Sequence, residues 1–252
     1  MDADEHSTEP TAPPGRGLRE RMRAARFELR RYSRAERVAD GVIHGLGVTA
    51  SLVAVAVLLV MALPTGETRL IAATAIYGAG MLATFSLSAA YNIVGDNGLG
   101  GERATMVLRR LDHAAIYLMI AGTYTPFTLI GLDGHGGRLF GVALLHWLLA
   151  LVWLVALVGI VLKLVWPRRF RALSLVLYLT MGWIGLLAGG AILAALPPAA
   201  VVLLAVGGVL YTAGVVFHLW TSLSFQNAIW HGFVLAAAGC HYAAIVAMVG
   251  TA

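Results

Sequence analysis

The side chains of this chain best suited to chemistry are a few polar ones set into long apolar stretches. Ser88 and Asn92 are four residues apart, and so are Asn227 and His231. On a helix that spacing stacks two side chains on one face. Asp112 and His113 are neighbours in a third stretch, and His44 lies near the start of the first. Asp112 is the only acid inside the apolar stretches as hydropathy delimits them. A carboxylate in lipid is costly unless it is paired, hydrogen-bonded or reached by water. It therefore reads in one of two ways, as an interfacial acid pairing with Arg109 or Arg110, or as a carboxylate aimed into a polar cavity. His231 reads either as a satisfied core histidine or as part of that cavity. The chemistry of such a set is that of a buried polar network, in which hydrogen-bonding groups share one pocket within lipid.

The elements that must position these groups follow from composition. Of 252 residues, 59% are hydrophobic and 12% charged, and the mean hydropathy is +0.80. A soluble domain carries roughly 25% charged residues. Seven apolar stretches fill nearly all of the chain after residue 40, and each reaches the length of about 20 residues that a helical crossing of a bilayer requires. In lipid the backbone must satisfy its own hydrogen bonds, so these stretches are predicted to be helices. The predicted spans are Gly41–Leu63, Leu70–Val94, Leu108–Ile130, Leu139–Leu164, Ala172–Leu193, Ala199–Trp220 and Ile229–Val249. The expected fold is an all-α membrane protein, a seven-transmembrane-helix bundle over residues 38–252. Residues 1–15 are acidic, Pro-rich and poor in apolar side chains, the composition of a disordered tail. Residues 16–37 are Arg-rich, with Leu18, Met22, Ala25, Leu29 and Tyr32 on one helical stripe. They read as a basic amphipathic helix lying in the membrane interface.

Charge sets the orientation. Sixteen of the eighteen basic residues fall on one side of the seven crossings, and only Arg69 and Arg138 fall on the other. The positive side is cytoplasmic. The N-terminus is then inside, the C-terminus outside, and the expected location is the inner (plasma) membrane. This topology places His44, Ser88, Asn92, Asp112, His113, Asn227 and His231 at one depth, near the cytoplasmic face. Membrane lipids are the expected partners, and the basic charge flanks spans rather than forming a nucleic-acid surface. Gly78, Gly80 and the Gly207-Gly208 pair suit close helix approach, either within the chain or between copies in a homo-oligomer.

Several chemistries are excluded. Cys240 is the only cysteine, which rules out an internal disulfide and a cysteine metal cluster. The glycine-rich GDNGLGGE lacks the Lys-Ser/Thr of a phosphate-binding loop. A retinal protein needs a lysine within a span, and the one lysine, Lys163, is predicted at the inner edge of the fourth. A pore needs polar residues along a full path, whereas the outer halves of these spans are almost wholly apolar. His146, His218 and His241 read as packing, interfacial or helix-to-helix hydrogen-bonding residues.

At these residues the chain resembles the hemolysin III family, the bacterial branch of the progestin and adipoQ receptors. The matching segments are ERVADGVIHGLG, LRRLDHAAIYLMIAGTYTPF, LYLTMGWIG, GGVLYTAGVVFH and AIWHGFVLAAAGCHY, which together span residues 36 to 242. The resemblance implies seven helices with the N-terminus inside. It also implies a zinc ion near the cytoplasmic side, held by Ser-x-x-x-His on the second helix and His-x-x-x-His on the seventh, with an Asp on the third acting on the metal-bound water. Related ceramidase-type enzymes suggest hydrolysis of a lipid amide. In this chain Ser88 and Asp112 match the serine and aspartate, the catalytic positions of that scheme, and His231 keeps one metal-ligand position. The other two ligand positions read Asn92 and Asn227. An amide oxygen is a poor zinc ligand beside imidazole. His44 and His113 are further candidates for the pocket. The resemblance implies either a membrane-homeostasis or receptor-like member with a degraded zinc site and a lipid-accessible polar pocket, or a zinc-dependent hydrolase, or a cytolysin.

Overall fold

A computed structural model of the protein describes residues 32–96, 101–135, 137–166 and 169–250. The expectations for residues 1–15 and for 16–31 of the segment 16–37 lie outside the described residues. The chain divides into two compact units, residues 1–35 and 36–252, and the second holds the membrane domain.

Among the described residues, seven helical segments are long and apolar enough to cross a membrane. They are α1 (Arg34–Ala62), α2 (Thr68–Asp96), α3 (Gly101–Pro126, extended by a π turn over Phe127–Gly131), α4 (Leu144–Val165), a fifth span made of α5 (Arg171–Trp183) and α6 (Gly189–Ala195), α7 (Pro198–Leu219) and α8 (Gln226–Val249). Two helices begin about two turns earlier than hydropathy predicts. α1 starts at Arg34 rather than Gly41, and α3 at Gly101 rather than Leu108. Hydropathy marks where a helix becomes apolar, but a helix continues as long as its backbone bonds do. The polar first turns of α1 and α3 are helix that faces other protein or water instead of lipid. The loop before α4 holds a small hairpin, β1 (Arg138–Leu139) paired antiparallel with β2 (Val142–Ala143), so α4 starts five residues later than predicted.

α3 is the most enclosed span and α1 approaches its neighbours least closely. Leu58, Tyr77, Met81, Met119, Phe127, Ile245 and Met248 form one buried core drawn from α1, α2, α3 and α8. Tyr117, Ala121, Val152, Ala156 and Met181 form a second between α3, α4 and α5. The outward side chains of α1, α4 and α7 are large and apolar, as a lipid-facing surface requires: Val53, Leu154 and Val209 are all exposed. α2 and α3 meet backbone to backbone. A Cβ at Gly80 would stand 3.2 Å from the Leu118 carbonyl oxygen, and one at Gly122 3.4 Å from that of Ile76. Gly78, Gly207 and Gly208 likewise face Val55, His241 and Trp183 of the same chain. The small residues noted in the sequence therefore serve packing within the chain.

The fifth span is not the continuous helix predicted. A 3-10 stretch, Ile184–Ala188, separates α5 from α6. Broken helix at membrane depth is tolerated only where the freed backbone groups find partners. Tyr124 of α3 supplies them: its hydroxyl accepts from the Gly185 N–H at 2.9 Å and donates to the Met181 carbonyl at 2.8 Å. Tyr124→Phe is expected to lower stability by about 1–3 kcal/mol, the cost of an unsatisfied buried donor. Thermal unfolding of detergent-purified protein checks this, and an unchanged melting temperature would remove Tyr124 from that role.

Candidate functional site

The first turns of α1 carry Glu36, Asp40 and His44 at intervals of four, which places them on one helix face. Glu36 uses that position to close the start of α8. Its Oε1 accepts from the Phe225 N–H at 2.9 Å, one of the donors that a helix N-terminus leaves without an internal partner. Phe225 itself sits in the left-handed region, with φ 58°. It turns the chain sharply into α8 and so sets Asn227 and His231 against α1.

Asp40 is 6% exposed, and both of its carboxylate oxygens are engaged by α8. Oδ1 accepts from His231 Nδ1 at 2.8 Å and Oδ2 from Asn227 Nδ2 at 2.8 Å. The same Asn227 amide reaches Asn92 Oδ1 at 3.1 Å, which brings in α2. His44 closes the set. Its Nδ1 lies 2.8 Å from the Asp40 carbonyl oxygen, which can only accept, so Nδ1 carries the proton and a neutral ring leaves Nε2 as an acceptor. Ser88 Oγ and Asn92 Nδ2 both stand 3.3 Å from that Nε2, longer than the usual hydrogen bond of about 2.9–3.0 Å. Asn92 Nδ2 is held more firmly by the Ser88 carbonyl, at 2.9 Å. The His44 and His231 rings meet edge to face with centroids 4.3 Å apart. Three helices, α1, α2 and α8, are thereby joined at one depth by side chains alone.

Of the residues singled out from the sequence, the structure brings together His44, Ser88, Asn92, Asn227 and His231. Asp112 and His113 do not join their hydrogen bonds. Asp112, 16% exposed, has His113 as its ion-pair partner among the described residues, at 3.9 Å. His113 Nδ1 faces the Arg109 carbonyl. Arg110 turns to the Leu164 carbonyl of α4 at 2.9 Å, and is not paired with Asp112. The carboxylate at the centre of the cluster is Asp40. The reading of Asp112 as the only acid within the spans is corrected accordingly: Asp40 lies one residue before the predicted start of the first span and two turns inside the actual helix. Glu36 was missed for the same reason. The signal was present as acidic or imidazole side chains at positions 36, 40 and 44, all within the segment ERVADGVIHGLG.

The arrangement can hold charge as well as hydrogen bonds. One ligand atom from each of Asp40, His44 and His231 lies within 4.8 Å of the other two, a group of a size that could enclose a metal ion. His231 Nε2 has no hydrogen-bond partner among the described residues, because its ring is oriented through Nδ1.

Comparison with known proteins agrees with this architecture. Residues 32–242 match the family described as Haemolysin-III related. The chain is 38% identical over 200 residues to the Hemolysin-3 homolog of Bacillus subtilis (strain 168), covering 79% of this chain and 88% of that protein. It is 36% identical over 201 residues to Hemolysin-3 of Bacillus cereus, covering 79% and 85%. It is also 31% identical over 183 residues to the Monocyte to macrophage differentiation factor of Homo sapiens, covering 68% and 67%. With seven membrane-length helices and a family match over nearly the whole membrane domain, the chain belongs to the haemolysin-III-related family of multi-pass plasma-membrane proteins, within the progestin and adipoQ receptor superfamily.

Proposed function

We propose that this protein is a non-hydrolytic member of its family, a membrane-homeostasis or receptor-like protein whose polar cluster near the arginine-rich face meets lipid headgroups. One observation carries the reading. Two of the three expected zinc-ligand positions are Asn92 and Asn227, and the Asn227 amide donates both to Asn92 and to Asp40. Hydrolysis by the expected scheme needs three imidazoles and an open fourth position for water. Here amides stand at two of those positions and serve as links between helices. The donor set of the family zinc site therefore does not fit this chain, and no hydrolytic step is assigned to it. His231, at 15% exposure, leaves the edge of the cluster open to polar headgroups.

The test is an amide-hydrolysis assay on purified protein, with zinc supplied and a ceramide-like substrate in mixed micelles. The expected result is no turnover above the lipid blank. Turnover that Asp112→Ala abolishes would overturn the reading and restore the hydrolase alternative.

A further inference from the structure

We infer that the small hairpin before α4 is an anchor in the bilayer interface, seating Phe140 in the leaflet on the side away from the arginine-rich face. Its partner is the boundary layer of a phospholipid leaflet, where headgroups meet acyl chains. The inference is independent of the non-hydrolytic reading, because the hairpin lies at the end of the bundle opposite the polar cluster.

Residues 139–143 read Leu-Phe-Gly-Val-Ala, apolar enough to count within the fourth span by hydropathy. They form a hairpin instead of helix, with Leu139 opposite Val142 and Arg138 opposite Ala143. Side chains alternate between two faces along a strand, and directly paired residues share a face. Leu139 and Val142 therefore make an apolar face, and Arg138 lies on the other. At the tip, Phe140 and Gly141 have φ of 51° and 78°. Two positive φ angles in a two-residue turn suit the twist of a hairpin, and Asn-Gly is the pair that favours them. Phenylalanine suits that position poorly, since a bulky side chain at positive φ is strained. Phe140 is 88% exposed, so packing within the chain offsets little of the strain.

Lipid accounts for both the apolar face and the exposed ring. α4 has 22 residues, about 33 Å at 1.5 Å per residue, and already crosses a hydrocarbon layer of about 30 Å. The hairpin is thereby left at the level of the headgroups. That level suits it, because an open strand edge is excluded from the hydrocarbon but not from the hydrated boundary. Leu139, Phe140 and Val142 continue the exposed apolar surface of α4, formed there by Leu144, Trp147 and Leu151. Trp147 is of a residue type enriched at membrane interfaces. Its indole N–H donates to the Leu139 carbonyl at 3.2 Å and ties the hairpin to α4. The Leu144 N–H closes the base on the Gly137 carbonyl at 2.8 Å. Arg138 is exposed on the other face, where a cation meets lipid phosphate. The hairpin thus fixes the depth at which α4 enters the bilayer.

The experiment uses the full chain with Cys240→Ser, reconstituted in phosphatidylcholine vesicles, with a nitrobenzoxadiazole label on Phe140→Cys. Glu67→Cys, in the exposed loop between α1 and α2 at the same end of the bundle, is the aqueous reference. The label at 140 should emit at shorter wavelength than the label at 67. It should lose intensity to phosphatidylcholine carrying a nitroxide at a shallow acyl position, and resist iodide present on both sides of the vesicle. A label on Val142→Cys should behave like the label at 140, and adding Phe140→Asn should shift its emission to longer wavelength. Asparagine is at ease in the left-handed region, so Phe140→Asn should not lower the melting temperature in detergent. A fall would show that the protein, and not lipid, holds the ring, and would overturn the inference. Iodide quenching at 140 equal to that at 67 overturns it, as does an unshifted Val142→Cys label in the Phe140→Asn chain. Shielding that disappears as the protein is diluted with excess lipid would mark a second copy as the occupant and is equally contrary.

Discussion

Replacing His231 with alanine is expected to destabilise the folded protein by about 3 kcal/mol, the cost of leaving a buried carboxylate oxygen without its hydrogen-bond donor. Asp40 is 6% exposed, and its shortest contacts are His231 and Asn227, both at 2.8 Å. Without the imidazole, the carboxylate keeps the Asn227 amide donor on Oδ2 and loses the N–H donor on Oδ1. The loss is a large share of a total stability that is typically only about 5–15 kcal/mol. His231→Gln keeps an N–H donor in roughly the same place and is expected to lose less. Reversible unfolding in mixed detergent measures both. A change below about 1 kcal/mol for His231→Ala, the size of an exposed ion pair, would show that Asp40 is not the buried partner described here.

Gly159→Leu in α4 is the second substitution with a large expected effect, about 3 kcal/mol, at the upper end of the ordinary cost of overpacking. A Cβ at Gly159 would overlap the ring of Tyr117. Tyr117 is fully buried, and its ring packs against that of Tyr178 at a centroid distance of 4.5 Å. The ring thus has no room to retreat, and the whole α3–α4 contact must open. Gly159→Ala should be milder, and Tyr117→Leu in that background should recover part of the loss. If Gly159→Leu melted with the unmodified protein, the close α3–α4 approach would be wrong.

The number of spans and the grouping of most site residues could be read from the sequence because lipid simplifies the problem. An apolar run of about 20 residues has only one way to satisfy its backbone, and counting arginines then assigns depth to every polar residue. That logic placed Ser88, Asn92, Asn227, His231 and His44 together, as the structure does. It failed for Asp40 because hydropathy locates helix ends by polarity. The polar first turn of α1 looked like a flank although it is helix, and its carboxylate became invisible as a buried acid. Asp112 lies at the depth read from the sequence but makes none of the cluster's hydrogen bonds among the described residues, where its partner is His113; depth alone does not choose a partner. The break in the fifth span was equally hidden, since LYLTMGWIG reads as an uninterrupted apolar run and only the hydroxyl of Tyr124, some sixty residues earlier, accounts for it.

The claim on which the rest depends is that Asp40, and not Asp112, is the acid coupled to His231. A pair of double-mutant cycles in unfolding free energy tests it most directly, one combining Asp40→Ala with His231→Ala and the other Asp112→Ala with His231→Ala. Residues in direct contact show coupling of about 0.5–3 kcal/mol, and independent ones add within about 0.5 kcal/mol. The first cycle should show clear coupling and the second should be additive. Additivity in the first with coupling in the second would contradict the account.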